Sequence, residues 1–94
     1  MGAVIVDWLR SPFTRAHKGE LSSVRPDELG AQVLRRLLER NQFPHLKIDD
    51  MLVGCAYPEG EQGYNIGRMM THLAELPSSV PGSTINRLCG SSMQ

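Results

Sequence analysis

Apolar residues are arranged along the chain in two alternating ways. Ala3 to Leu9 and Ile48 to Ala56, the latter centred on Met51-Leu52-Val53-Gly54-Cys55-Ala56, are short and almost continuous runs. Strands covered on both faces have that pattern. A third strand is predicted over Ser83 to Asn86. Between the runs the spacing changes to that of helices. Leu29, Gly30, Val33, Leu34, Leu37 and Leu38 share one side of a helix, with Glu28, Gln32, Arg35, Arg36 and Glu39 on the other, an amphipathic element suited to covering a sheet. Pro26 opens it, because the first-turn N–H it lacks has no helical acceptor anyway. Asp27 and Glu28 follow where the helix dipole favours negative charge. Ile66, Met69, Met70 and Leu73 predict a second helix, with Asn65 as its cap and Pro77 and Pro81 beyond its end.

The segments between these elements carry the breakers. Arg10 to Arg25, with Ser11-Pro12, Gly19 and Ser22-Ser23, is predicted to be a long loop. Asn41 to Leu46, with Pro44, is a connection, and Pro58 to Gly63 is a turn-rich loop. The order strand, helix, strand, helix, strand predicts an α/β layered architecture. Ile85 to Gln94 then run from a strand through a short turn into small residues that begin a helix. Nothing closes that unit, so residues 1–94 are expected to be a partial domain, truncated after Gln94.

Composition narrows the function classes. Ten basic and ten acidic residues cancel, which leaves no electrostatic reason to expect nucleic acid or an anionic membrane as the main partner. No apolar run is long enough to cross a bilayer. Cys55 and Cys89 are too few for a disulfide framework, and nothing resembles a secretory leader. A reducing, cytoplasmic setting is expected. The loop cluster of Arg10, Arg15, His17, Lys18 and Arg25 faces only one acid, Glu20. A solvated loop is the favoured explanation, ahead of contact with a phosphate-bearing ligand or a partner subunit. His17, His45 and His72 are scattered, with no partner at metal-ligand spacing, and solvated or structural roles are favoured.

Chemistry concentrates at Cys89. A cysteine at a strand-to-helix turn gains from the free N–H groups of the first helical turn, which stabilise a thiolate and lower a thiol pKa from about 8.5. Gly90 keeps the backbone tight and the sulfur approachable, and Ser91 and Ser92 suit a first turn. The same N–H groups would bind the oxyanion formed when a thioester is attacked. On these residues alone, nucleophile and inert packed thiol stand about even for Cys89. Cys55, inside an apolar strand, is expected to be core. Ser92 lacks the second glycine of the G-x-S-x-G elbow, which disfavours a serine nucleophile.

Asn86-Arg87-Leu88-Cys89-Gly90-Ser91-Ser92 resembles the acyl-enzyme signature of thiolases. Val4-Ile5-Val6-Asp7 with Arg10-Ser11-Pro12-Phe13 is similar to that family's first strand and following turn. Gly54 and then Glu61-Gln62-Gly63-Tyr64-Asn65-Ile66-Gly67-Arg68 resemble the stretch leading into its second helix. The similarity runs the length of the chain. It implies a layered αβαβα fold, of which this chain would be the first part of the N-terminal half, and a homodimer or homotetramer, with a β-oxidation enzyme as a further possible partner. It implies Cys89 as the catalytic residue that takes the acyl group from a 3-ketoacyl-CoA in fatty acid β-oxidation, with coenzyme A as co-substrate and no tightly bound cofactor. The family's activating histidine, second cysteine and coenzyme A loops belong to sequence beyond Gln94, so residues 1–94 alone are expected to be inactive. An acetoacetyl-CoA-forming thiolase, a ketoacyl synthase-like condensing enzyme and a non-catalytic lipid-binding protein of the same fold are the alternatives.

Overall fold

A computed structural model describes residues 2–42 and 47–94. Two α-helices and two strands alternate: α1 (Pro26–Asn41), β1 (Met51–Gly54), α2 (Ile66–Leu73) and β2 (Gly82–Ile85). Short 3-10 turns at Glu20–Ser23, Gly60–Gln62 and Leu88–Met93 complete the described elements. No helix among the described residues is long and apolar enough to cross a membrane.

α1 begins at Pro26, as its N-terminal signals predict, and ends with Gln42 in the left-handed region at φ 49°. The expected polar residues Glu28, Gln32, Arg35, Arg36 and Glu39 are exposed, and the apolar ones are partly or fully covered. Asp27 is a departure from that division, because it is buried at the helix start. Its carboxylate accepts from the guanidinium of Arg25 through both oxygens, each at 3.1 Å, and from the Glu28 N–H at 2.8 Å. The Arg25 bond is the main cause that holds the Asp27 carboxyl below the usual carboxylate range. Arg25 also reaches Glu61 at 3.3 Å, so one side chain ties the start of α1 to the 3-10 turn at Gly60–Gln62.

β1 and β2 pair in parallel, Met51 opposite Gly82 through Gly54 opposite Ile85, with α2 as the crossover that a parallel pair requires. β1 is shorter than the apolar run from Ile48 to Ala56 because a ladder extends only as far as its partner. Pairing continues one residue at each end, where Met51 N–H donates to the Pro81 carbonyl and Cys55 N–H to that of Ile85.

α2 sits unusually close to β2. A Cβ on Gly67 would fall on the Ser83 carbonyl, and one on Gly82 would meet the Gly67 oxygen at 2.6 Å. Backbone thus rests on backbone. Asn65 caps α2 as expected, accepting from the Arg68 N–H at 3.2 Å. Its amide also donates to the Gly82 carbonyl at 2.8 Å, and its oxygen accepts from Thr84 Oγ1 at 2.7 Å. Thr84 Oγ1 in turn accepts from the Gly67 N–H at 3.1 Å. The cap of the helix is therefore the bolt that fastens it to the strand. On the other side of α2, Ile66 and Met70 pack with Cys55, and Ala31, Ala74, Leu76 and Val80 form a second cluster against α1. Met69, expected on the apolar stripe, is 47% exposed. The helix ends at Leu73, ahead of Pro77.

The predicted strand over Ala3 to Leu9 is not formed. Val4, Ile5, Val6 and Trp8 are 74–89% exposed, and the segment makes no ladder with β1 or β2. Apolar content favours a strand only where a neighbouring strand supplies hydrogen bonds, and among the described residues none does. A polar clasp holds the segment instead. Asp7 accepts from Arg40 Nη2 at 2.6 Å, from Arg40 Nε at 3.0 Å and from Asn41 Nδ2 at 2.5 Å, while Arg40 also donates to the Trp8 carbonyl. Those bonds, Arg40's first, lower the Asp7 pKa to about 2. A depressed carboxyl pKa contributes stability that is complete above the ordinary value and lost as pH falls through the folded one. The clasp should therefore hold at neutral pH and loosen as pH drops from near 4 towards 2. Carbon-13 NMR titration of the Asp7 carboxyl in the full-length protein would read this directly, and a midpoint near 4 would show that the clasp is not populated.

The connection predicted at Asn41 to Leu46 is only partly visible. Asn41 closes α1, and Phe43 to Leu46, His45 among them, lie outside the described residues. His17 lies in the Arg10–Arg25 loop and His72 in the last turn of α2, both exposed.

Candidate active site around Cys89

The chain leaves β2 at Ile85 and turns immediately. Asn86 Oδ1 accepts from the Leu88 N–H at 2.9 Å, and Asn86 Nδ2 donates to the Ala56 carbonyl, just past β1, at 3.3 Å. Leu88 adopts φ 50°, the left-handed region that a side chain with a Cβ rarely occupies. Cys89 follows, exposed, as the second residue of the 3-10 turn Leu88–Met93.

An α-helix opening at Cys89 was the expectation from sequence, and the structure corrects it. Ser91 braces this tighter turn from within: its buried hydroxyl donates to the Leu88 carbonyl at 2.6 Å. The same hydroxyl accepts from the Arg87 N–H at 2.9 Å. Gly90 N–H donates to the Arg87 carbonyl at 3.1 Å, closing the tight turn. Most first-turn donors are thereby committed. The Leu88 N–H faces Asn86, the Arg87 N–H faces Ser91 and the Gly90 N–H faces Arg87. Only the N–H of Cys89 itself has no partner among the described residues, so a single donor stands beside the sulfur where sequence analysis expected several.

The turn rests on β1. A Cβ on Gly54 would overlap the Ser92 amide nitrogen and Oγ and would lie 2.7 Å from the Ser91 carbonyl carbon. Glycine at this point of the strand lets the Cys89 turn lie flat on the sheet. Gly90 has open space on its Cα, and with Arg87, Met93 and Gln94 it lines a shallow cavity of about 440 Å³. Arg87 donates to the Gln94 side chain at 2.7 Å across it.

The two cysteines differ as predicted. Cys55 is 7% exposed and packs with Ile66 and Met70, whereas Cys89 is exposed. A larger cavity of about 640 Å³ lies between the apolar side of α1 and β1, lined by Leu29, Val33, Leu37, Val53, Cys55 and Met70 among others. Cys89 is not among its lining residues, and its walls are those of unfilled packing space between helix and sheet. Of the basic loop, Arg25 is taken up by Asp27 and Glu61, and Arg10 stacks over Phe13 at 5.6 Å. No basic side chain of that loop lines the cavity beside Gly90. Among the described residues no group of three or more His, Cys, Asp or Glu side chains is disposed to hold a metal ion.

Residues 3–94 match the family model described as thiolase, N-terminal domain. The chain is 48% identical over 91 residues to a 3-ketoacyl-CoA thiolase of Acinetobacter baylyi, covering 97% of this chain and 23% of that protein. It is likewise 48% identical over 92 residues to a 3-ketoacyl-CoA thiolase of Bacillus subtilis, covering 98% of this chain and 24% of the relative. The chain thus spans about a quarter of the length of these relatives.

Proposed function

The chain belongs to the thiolase family, and from that premise we propose that the protein carrying it is an acyltransferase that cleaves 3-ketoacyl-CoA through an acyl-enzyme on Cys89. One observation carries the proposal: Cys89 is the exposed thiol, raised on a tight turn beside its own N–H, which has no partner among the described residues, while Cys55 is packed away. In the reaction the Cys89 thiolate adds to the 3-keto carbon, and the carbonyl oxygen becomes an oxyanion for which the Cys89 N–H is the proposed donor. The oxyanion collapses, the bond between C2 and C3 breaks, and its electron pair leaves with C2. Protonation of C2 releases acetyl-CoA. The thiolate of a second coenzyme A then attacks the thioester on Cys89, carrying off the shortened acyl chain and restoring the cysteine thiolate.

Coenzyme A is a co-substrate in this scheme, and no tightly bound cofactor is called for. The general base and the second catalytic cysteine implied by the family resemblance are not among the residues of this chain. The names of the relatives, 3-ketoacyl-CoA thiolases, support the degradative direction, as does the Glu61-Gln62-Gly63-Tyr64-Asn65-Ile66 run. A homodimer or homotetramer working in β-oxidation in the cytoplasm, with residues 1–94 as the first part of the N-terminal half, completes the proposal.

Peptide mass spectrometry of the full-length protein tests it. Iodoacetamide should modify Cys89 in preference to Cys55. Prior exposure to a 3-ketoacyl-CoA should place the acyl mass on the Cys89 peptide and block the alkylation. Preferential alkylation of Cys55, or an acyl mass on another peptide, would reject Cys89 as the nucleophile.

A further inference from the structure

We propose that Asn86 is a positioning residue for the Cys89 thiol, acting through the backbone of Leu88; the inference rests on Cys89 being the nucleophile. The argument begins with Leu88. A leucine at φ 50° is strained by its own Cβ, and such a conformation persists only where surrounding bonds impose it. Two bonds do so here. The Leu88 N–H donates to Asn86 Oδ1 at 2.9 Å, and the Leu88 carbonyl accepts from the buried Ser91 hydroxyl at 2.6 Å. Ser91 holds the turn together from within. Among the described residues, Asn86 is the one whose side chain hydrogen-bonds the turn to the end of β1, its amide nitrogen reaching the Ala56 carbonyl at 3.3 Å. The φ of Leu88 sets the direction in which the next residue leaves the strand, and that residue is Cys89. Asn86 therefore fixes where the sulfur and the N–H of Cys89 point relative to the end of β1. Its side chain achieves this without needing to touch a substrate.

The test compares full-length Asn86→Ala with the double variant Asn86→Ala/Leu88→Gly. Without the Asn86 bond, Leu88 has less reason to remain at positive φ, and the thiol loses its orientation for part of the time. Acyl-enzyme formation with a 3-ketoacyl-CoA should slow roughly ten- to a hundredfold, while the KM for the second coenzyme A changes little. Glycine adopts positive φ without a Cβ penalty, so the second substitution should restore most of the lost rate. A substitution that merely weakened the fold would not be repaired by adding a glycine next to the nucleophile, and thermal melting of both variants checks that separately. A double variant as slow as the single one would overturn the inference, as would a single variant with wild-type acylation. If the wild-type protein itself forms no adduct on Cys89, the nucleophile assignment fails and this inference with it. An intact wild-type adduct beside an unaffected Asn86→Ala variant would sink only the role of Asn86.

Discussion

Replacing Cys89 by alanine in the full-length protein should reduce thiolytic turnover of a 3-ketoacyl-CoA by roughly 10⁴-fold or more, with no acyl mass left on the chain. Loss of a nucleophile that acts together with a base removes nearly all of the covalent route. The fold should barely register the change. Cys89 is exposed, its side chain makes no hydrogen bond among the described residues, and the turn around it is held by Asn86, Ser91 and Gly90. Exposed substitutions of this kind usually move stability by no more than about 0.5 kcal/mol. Acetyl-CoA release and a thermal melt, measured on the same preparation, separate the two effects. Continued acyl-enzyme formation in the variant would mean that another residue attacks.

The largest effect on the fold is expected at Gly67. An alanine there places a methyl group on the Ser83 carbonyl, and backbone on both sides leaves it nowhere to go. Either α2 lifts from β2 or the Asn65 and Thr84 bonds that bolt them together are stretched. Overpacking of this type typically costs 1–3 kcal/mol, and a clash with main chain belongs at about the upper end. Gly90→Ala is the natural comparison, because open space surrounds its Cα. The denaturant midpoint of the full-length protein should fall clearly for Gly67→Ala and stay near wild type for Gly90→Ala. Equal midpoints for the two variants would contradict the close approach of α2 to β2.

Local signals carried much of this architecture. Pro26 marked the start of α1, Asn65 capped α2 as its position suggested, and the apolar run around Met51 paired with the strand predicted near Ser83 to Asn86. Chemistry next to Cys89 was legible too, because small and polar residues after a strand leave few alternatives to a tight turn. What periodicity could not report is which surfaces meet. Ala3 to Leu9 has the composition of a strand, yet strand formation is a property of a pair. Asp27 reads as an ordinary first-turn acid, and its burial follows from Arg25 folding over it. The 3-10 form of the Cys89 turn, with the Ser91 hydroxyl bridging the Leu88 carbonyl and the Arg87 N–H, has no signature in periodicity. Asn86 stood in the recognised motif only as a letter. Its bond to Ala56 crosses from one strand end to the other, a separation that no window along the sequence spans.

The flat seat of the Cys89 turn on Gly54 also dictates an order of assembly. Among the described residues, the anchors that tie this turn to the sheet are the bare face of Gly54 in β1 and the Ala56 carbonyl just past it, while the turn itself is continuous with β2. The anchors become available only when the two strands have come into register across the whole of α2. Closing a loop of that kind costs chain entropy before any contact returns it. The contacts that seat the turn are therefore expected to follow the parallel pairing, so that the thiol acquires its setting only once the scaffold beneath it is committed to one register.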